Sequence, residues 1–336
     1  MRIETDAVTW LSGVRLGRTM GSPLVLQVPN KDSRLDDLER TPRVHRPRPG
    51  HADLAGSIKW LTDDCRDTLE RASARETAAR TAGGAVARCM LRHFGIEVFG
   101  FVRGLLDADT DVQVDASNVD ALRALRDASD VYCPDEAVSE AIRAHIRRAK
   151  EDKDTVGGLC EVHVFGCPIG LGSCMHWDEK LDSRLAAAVM GIQAFKGVEI
   201  GLGKEVARHR GSEVHDPIEY DATRREEPCL GFTRPRNHAG GLEGGMTDGM
   251  PIVVRGAMKP ISTLLQGMPS INLQSKEAER SDYERSDVCA LPAASVVMEN
   301  VVGFEVAKAF LEKFGGDTMA EVEANYRSYL ALARDI

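Results

Sequence analysis

The sequence predicts an α/β fold in which residues 1–336 form a single domain. β-Branched and apolar runs alternate along the chain with longer stretches rich in alanine, as expected where strands alternate with helices. A helix of small residues followed by a glycine and a β-branched strand occurs twice, and a third such helix lies near the C-terminus, which indicates an internal duplication. No low-complexity linker divides the chain, so we expect one intertwined unit and not two domains.

The predicted elements follow in order from hydrophobic patterning and from the glycines and prolines at their ends. In the first part of the chain we expect a buried strand at 22–30, an alanine-rich helix at 69–95 and a strand at 96–102. The later elements are an amphipathic helix at 134–154, a strand at 159–168, a helix and strand within 182–201, a long loop at 215–241 and a helix at 296–316. Gly95 is the stop signal of the first helix. Gly83 and Gly84 lower the helix propensity in its middle, so we expect them to allow close packing of another element.

The composition excludes several classes of protein. The 336 residues carry a formal net charge of −9, which argues against a general nucleic-acid surface. No run of about eighteen uncharged apolar residues occurs, and the N-terminus has no signal-peptide pattern, so we expect a cytoplasmic protein without a membrane span. The 8 cysteines are scattered without metal-ligand spacing, which favours reduced thiols and predicts no metal site.

The stretch RPRPGHADLAG, residues 46–56, surrounds His51 with two prolines, two arginines and a glycine. The prolines restrict the backbone, and Gly50 permits a turn that a Cβ would hinder. This combination predicts a rigid, cationic loop that presents His51 in a defined direction. The alternative is an ordinary surface turn with incidental arginines.

Three further segments have features of anion binding. In RASARE, Arg71 and Arg75 are four residues apart and would share one face of a helix, while Ser73 could cap the helix start or donate to an anion. The segment 237–249 is glycine-rich, which lets backbone N–H groups approach a ligand, but it lacks the spacing of a Rossmann fingerprint or a P-loop. The segment 259–264, KPISTL, offers one cation and two hydroxyls after a strand, which suits a phosphate group. Each segment could equally be structural.

A carboxylate completes the set of candidate residues. In RSDVCALPAA, Arg285 and Asp287 are two residues apart and would face the same side of an extended chain. An aspartate near an arginine stays ionised, although a surface ion pair is the alternative interpretation. Taken together, these segments predict an enclosed site for one or two multiply charged anions with a histidine inside.

Six segments resemble the chorismate synthase family in order and approximate spacing: RPGHADL, RASARETAAR, HWDEKLDSRLAAAVMGIQAFKGVEIG, AGGLEGGMTDG, MKPISTL and RSDVCALPAA. The resemblance extends from residue 1 to the last helix. It implies a β-α-β sandwich with internal pseudo-symmetry that assembles as a homotetramer. It also implies conversion of 5-enolpyruvylshikimate-3-phosphate to chorismate and phosphate, a step of the shikimate pathway of aromatic amino-acid biosynthesis. The reaction is an anti-1,4-elimination without net redox change, yet it requires reduced FMN (FMNH2).

The resemblance implies a role for each candidate residue. His51 and Asp287 are the implied catalytic residues: His51 would protonate or hydrogen-bond the reduced flavin, and Asp287 would assist proton removal through flavin N5. The substrate carries a phosphate and two carboxylates, which suit bidentate arginine contacts, and the implied substrate-facing arginines are Arg48, Arg75 and Arg285. The implied flavin contacts are Arg71, Ala72, Ser73, Gln193, Ala194, Gly244, Lys259, Pro260, Ile261, Ser262, Thr263 and Arg285.

The sequence departs from the family pattern at its start. Family members carry a Gly-Glu-Ser-His-Gly motif and a run of arginines before the stretch that corresponds to MRIETDAVTWLSG, and neither is present. We expect a gene start assigned too late, because the remaining motifs are unspoiled. The alternative is a truncated, catalytically impaired homologue that binds flavin or anions, since loss of a general acid reduces rates by ~10²–10⁴-fold. Nothing suggests the added nicotinamide (NADP) site of bifunctional members.

Overall fold

The structure is a computed structural model that describes residues 6–30, 36–284 and 286–336. Its α-helices are α1 (Asp53–Trp60), α2 (Arg66–Arg71), α3 (Thr77–His93), α4 (Val119–Ala128), α5 (Glu136–Glu151), α6 (Leu181–Met190), α7 (Gly211–Val214), α8 (Leu291–Phe314) and α9 (Met319–Ala333). Its strands are β1 (Thr9–Ser12), β2 (Val14–Arg15), β3 (Arg18–Thr19), β4 (Val25–Gln27), β5 (Glu97–Leu105), β6 (Ala108–Asp109), β7 (Gly158–Phe165), β8 (Phe195–Ile200), β9 (Glu219–Tyr220), β10 (Phe232–Thr233), β11 (Leu242–Glu243), β12 (Met246–Thr247), β13 (Ile252–Met258), β14 (Pro269–Ile271) and β15 (Ala278–Arg280). Short 3₁₀ helices lie at Ala74–Glu76, Gly203–Arg208 and Ala222–Arg224.

A five-stranded sheet with the order β6-β5-β7-β13-β8 forms the centre of the described structure. All neighbouring strands in it are antiparallel, with Val98 opposite Val164 and Val254 opposite Val162 in the central ladders. The remaining strands in the described part of the chain form two-stranded pairs. The molecule thus combines helices with one main sheet, and the α/β class predicted from the sequence is confirmed.

The two faces of the central sheet pack against different helices. Phe99 and Phe101 of β5 are fully buried against Val119 and Leu122 of α4. The alternate residues of β5, such as Val98, belong to the larger core formed with α3, α6 and α8. This division follows from the period of two along a strand, which sends successive side chains to opposite faces.

Helix α8 is the centre of the helical layer, and it contacts α3, α6, β5 and β7. Small residues permit this packing: a Cβ on Gly84 of α3 would lie 2.4 Å from the backbone oxygen of Asn300. A Cβ on Gly83 would have nothing within 4 Å. The prediction of close packing is therefore confirmed for Gly84 and wrong for Gly83, whose side of the helix faces open space.

A buried cluster of charges connects the helices to the edge of the sheet. Glu299 of α8, 2% exposed, forms ion pairs with Arg88 (2.5 Å), Arg126 (2.9 Å) and Arg123 (3.6 Å). Arg126 also donates to the carbonyl oxygen of Gly100 (2.6 Å). Buried charges persist only where they are paired and hydrogen-bonded, so this cluster fixes α3, α4 and α8 relative to β5.

Two predicted elements differ from the structure. The expected buried strand at 22–30 is only the three-residue β4, which pairs with β1 and is largely exposed. The expected helix at 69–95 is interrupted: α2 ends at Arg71, and Ser73 has extended angles (φ −60°, ψ 139°). The Ser73 hydroxyl accepts a hydrogen bond from the backbone N–H of Arg75 (3.3 Å), a local interaction that competes with helix continuation. The pattern of apolar residues alone does not reveal this break.

The other predicted elements are present. β5, α5, β7, α6 and β8 occupy the expected segments, and Gly95, with φ of +73°, follows the end of α3. α8 begins at Leu291, earlier than residue 296. The segment 215–241 is mostly loop, with the short pair β9 and β10. No helix in the described ranges is long and apolar enough to cross a membrane.

Candidate functional site

The loop that contains His51 is held by a buried arginine. Arg48, 7% exposed, donates from Nε to Oδ2 of Asp53 (2.9 Å) and from Nη2 to Oδ1 (3.2 Å). Its Nη1 donates to the hydroxyl of Thr263 (2.8 Å). Gly50 turns the chain with φ of +78°, a conformation that disfavours a residue with a side chain. These interactions hold the loop against α1 and Thr263, which supports the prediction of a rigid loop.

His51 lies against Asp53, the first residue of α1. Asp53 is fully buried, and its Oδ1 is in hydrogen-bond contact with Nδ1 of His51. Burial would raise the pKa of Asp53, but hydrogen bonds from His51 and Arg48 together outweigh burial and hold that pKa well below its ordinary value. Asp53 is thus ionised at neutral pH. The His51 side chain remains 20% exposed, so part of the ring is accessible.

The turn after β13 meets this loop. A Cβ on Gly50 would lie 3.5 Å from Cβ of Ser262 and 3.9 Å from Nζ of Lys259. These short distances and the hydrogen bond from Arg48 to Thr263 show that the loop 46–56 and the segment 259–264, which the sequence analysis treated separately, are adjacent. The structure therefore brings His51 and the proposed phosphate-binding turn 259–263 to one place.

Lys259 provides a positive charge at this site. Its backbone N–H donates to the carbonyl oxygen of Ala194 (2.9 Å), which ties the turn to the start of β8. Burial lowers the pKa of Lys259, and repulsion by Lys196 adds to the effect. Among the described residues no carboxylate forms an ion pair with either lysine. Two cations without a carboxylate partner favour the binding of an anion.

Gln193 extends the site toward the 3₁₀ helix Ala74–Glu76. Its Nε2 donates to Oε1 of Glu76 (2.9 Å), and the Ser73 hydroxyl caps that short helix. Oε1 of Gln193 is buried and has no hydrogen-bond partner in the described structure. Since buried acceptors are nearly always satisfied, this oxygen marks a place where a ligand could donate a hydrogen bond.

Arg71 and Arg75 do not share a helix face, because the chain leaves the helical conformation between them. That prediction is wrong, for the reason given by the Ser73 cap. The guanidinium of Arg75 donates to Oδ1 of Asp6 (2.5 Å) and to the carbonyl oxygen of Pro29 (2.8 Å). Arg75 therefore points to the N-terminal strands.

Ser286, the residue before Asp287, contacts the turn 259–263. The hydroxyl of Ser286 donates to the carbonyl oxygen of Thr263 (3.3 Å). The Asp287 side chain lines a cleft of about 460 Å³ with Arg143, Arg147 and Lys150 of α5, and His51 is not among the lining residues.

Of the two remaining predicted flavin contacts, Gly244 and Arg285, the structure describes only Gly244. Gly244 lies in the turn between β11 and β12, with φ of +62°, and a Cβ at this position would have nothing within 4 Å. That turn packs on the start of α6, where the N–H of Leu181 donates to the carbonyl oxygen of Gly245 (2.9 Å). Arg285 lies outside the described residues.

Sequence reasoning missed the carboxylate that organises the site. Asp53 follows His51 by two residues, and this His-x-Asp spacing next to a helix start is the signal that could have identified it. It also missed the ion pairs Arg46–Asp282 and Arg66–Glu284, which join the His51 loop and α2 to the segment preceding Asp287. Their partners are more than two hundred residues apart along the chain, so local patterns do not predict them. In the described part of the chain no group of His, Cys, Asp and Glu could hold a metal ion.

Comparisons with known proteins give the family of the chain. A family model described as chorismate synthase matches residues 1–311. A chorismate synthase of Desulforamulus reducens is 49% identical over 345 residues, covering 100% of this chain and 87% of that protein. One of Geobacter sulfurreducens is 49% identical over 344 residues, covering 99% of this chain and 87% of that protein. A solved structure titled "Crystal Structure of Chorismate Synthase" superposes with a TM-score of 0.79 at 38% identity, over 98% of this chain and 85% of that one. The chain belongs to the chorismate synthase family.

Proposed function

We propose that the protein converts 5-enolpyruvylshikimate-3-phosphate to chorismate and phosphate, as a carbon–oxygen lyase of the shikimate pathway. The observation that carries the proposal is the match of nearly the whole chain to relatives named chorismate synthase, at about half identity. The site agrees in charge, because Lys259 lies next to Gly50 of the His51 loop and close enough to Lys196 for mutual repulsion, and the substrate is a phosphate with two carboxylates. None of the matches favours the impaired, non-catalytic alternative.

The residues present fit a flavin mononucleotide. Gln193 Oε1 is an unsatisfied buried acceptor, which suits a ring N–H, and Lys259 suits a phosphate. The proposed contacts remain Arg71, Ala72, Ser73, Gln193, Ala194, Gly244, Lys259, Pro260, Ile261, Ser262, Thr263 and Arg285. Reduced FMN, when bound, would supply an electron or its equivalent to the substrate as phosphate leaves, and recover it afterwards.

The chain's own residues then bind, orient and move protons. His51 holds a proton at the flavin, in a direction fixed by Arg48 and Asp53. Asp287 is the proposed carboxylate for proton removal from the substrate. Arg48, Arg75 and Arg285 are the proposed substrate ligands. Arg75 would exchange its bonds to Asp6 and Pro29 for bonds to an anion.

We expect the domain to span residues 1–336 and to assemble as a homotetramer in the cytoplasm. Helix α1 supports an assembly, because it ends in exposed apolar residues: Ile58 is 66%, Trp60 64% and Leu61 92% exposed. Exposed clusters of large apolar side chains are typical of protein–protein contact surfaces. Light scattering after gel filtration measures the mass directly, and a monomer at micromolar concentration would contradict this part of the proposal.

The activity itself is tested by anaerobic turnover of 5-enolpyruvylshikimate-3-phosphate with chemically reduced FMN. We expect chorismate and phosphate in equal amounts, and a loss of about 10²–10⁴-fold in kcat in His51→Ala. His45→Ala is the matched control, since the His45 ring contacts the carbonyl oxygen of Asp63 (2.9 Å) in a neighbouring loop. Ligand binding without product would support the non-catalytic alternative instead.

A further inference from the structure

Both carboxylate oxygens of Asp53 make specific hydrogen-bond contacts, which packing alone does not require. Asp53 is fully buried beside the His51 loop, and its Oδ2 accepts two hydrogen bonds from Arg48, one from the backbone N–H (3.0 Å) and one from Nε (2.9 Å). Its Oδ1 accepts from Nη2 of Arg48 (3.2 Å) and faces Nδ1 of His51. The carboxylate is thus fixed in position and in rotation.

This contact determines where the imidazole carries its proton. A carboxylate oxygen and a ring nitrogen in hydrogen-bond contact share one proton, and an ionised carboxylate is an acceptor only. The proton therefore lies on Nδ1, and Nδ1–H donates to Oδ1 of Asp53. Nη2 of Arg48, although 3.0 Å from Nδ1, then directs its hydrogen to the same carboxylate. In the described structure no hydrogen bond joins Nε2 of His51 to another residue.

We propose that Asp53 is a positioning residue that holds a proton on Nδ1 of His51, so that Nε2 is the atom that exchanges protons at the site. The proposal rests on the proposed function of His51, which it makes specific to one ring atom. Asp53 acts through His51 and need not touch the substrate or the flavin.

The other ionisable groups near the His51 ring do not take over the role of Asp53 in holding the proton on Nδ1. Arg48 and Lys259 are cations and do not accept the proton on Nδ1. The thiol of Cys65 accepts a hydrogen bond from the hydroxyl of Ser57 (3.3 Å), and burial raises its pKa, so it is neutral. Asp53 is therefore the anion that the described structure places against His51.

The tautomer can be measured directly on the intact protein. In protein labelled with ¹⁵N-histidine, long-range ¹H–¹⁵N spectra distinguish a protonated from an unprotonated ring nitrogen, and His51→Gln identifies the signals of His51. In the neutral ring we expect Nδ1 protonated and Nε2 unprotonated. A neutral ring with the proton on Nε2 would overturn the proposal, whether or not the protein makes chorismate.

Asp53→Asn should invert this arrangement. Because the Oδ2 position accepts two donors from Arg48, the amide oxygen must occupy it, and the NH₂ group then faces Nδ1 and donates to it. We expect the proton to move to Nε2, with a fall in kcat of about 10²–10⁴-fold and a displaced pH–rate profile. Asp63→Asn, which changes an exposed carboxylate in the neighbouring loop, should leave the tautomer and the profile unchanged.

A folded Asp53→Asn variant that keeps the tautomer and the pH–rate profile of the parent would show that the carboxylate is only structural. Where this variant does not fold, the spectrum of the parent protein still decides between the two tautomers. Failure of the proposed function gives a different result, because the expected tautomer would then be seen without turnover.

Discussion

Two adjacent glycines of α3 provide a sharp test of the helical packing. Gly83 and Gly84 occupy neighbouring positions of one helix, so their intrinsic helix propensities are the same. A Cβ on Gly84 would lie 2.4 Å from the backbone oxygen and 2.6 Å from Cβ of Asn300, whereas a Cβ on Gly83 meets nothing within 4 Å. Alanine at the two positions should therefore change stability in opposite directions.

The expected magnitudes follow from these distances. In open space, replacing a helical glycine with alanine gains about 0.5–1 kcal/mol of unfolding free energy. At Gly84 the same gain is outweighed, since the added carbon overlaps the backbone of α8, which cannot rotate away as a flexible side chain would. Overpacking of this kind costs about 1–3 kcal/mol. We expect Gly83→Ala to be stabilised and Gly84→Ala destabilised; the propensity gain is common to both, so the difference between them is the overpacking cost of about 1–3 kcal/mol.

Urea denaturation followed by circular dichroism measures both variants against the parent, with unchanged dependence on denaturant as the condition for comparison. The two substitutions are controls for each other, because they replace the same residue type at neighbouring positions near the middle of the same helix. Equal stability of the variants, or a more stable Gly84→Ala, would refute the packing of α3 on α8 described above.

Three further predictions concern charged groups. Burial would raise the pKa of Glu161, but His163, Arg255 and Arg103 outweigh burial and lower that pKa from 4.5 to about 2. The folded state is therefore stabilised above pH 4.5 by an amount on the order of 3 kcal/mol, and this stabilisation is lost as pH falls toward 2. Glu161→Gln should flatten this acid dependence of the unfolding free energy. Glu299→Gln leaves three arginines without their carboxylate and should lower the unfolding free energy by about 3–5 kcal/mol, against less than about 1 kcal/mol for Glu323→Gln, whose side chain is 33% exposed and pairs with His93 and Arg327. Lys259→Ala should weaken binding of oxidised FMN, measured by titration calorimetry, by about 10–100-fold, while the exposed Lys204→Ala should not.

The sequence was most informative where local chemistry determines structure. The strands β5 and β7 and the amphipathic α5 were predictable because each carries its own period and end signals. The break at Ser73 was not, because it depends on one hydroxyl–backbone hydrogen bond within an otherwise helical composition. The difference between Gly83 and Gly84 depends on which face of α3 meets Asn300, more than two hundred positions away in the chain.

The same distinction applies to the site. The motifs identified His51 and the 259–263 turn, and the structure places them side by side. The roles of the individual arginines were not predictable, because a guanidinium binds whatever acceptor the fold brings to it. Arg75 meets Asp6 and Pro29, and Arg48 meets Asp53 and Thr263. These acceptors come from other segments, and a motif read along the chain does not contain them.

Arg48 allows its two possible roles to be separated. A guanidinium has five N–H donors, and three of them serve Asp53 and Thr263, which leaves the second hydrogens of Nη1 and Nη2 for a substrate. Arg48→Lys keeps the charge but cannot bridge Asp53 and Thr263 at once. If Arg48 chiefly fixes Asp53, kcat should fall while KM changes little; if it chiefly binds substrate, KM should rise by about 10–100-fold. Because its side chain is only 6% exposed, we expect the first result, and a pure KM effect would contradict the internal role.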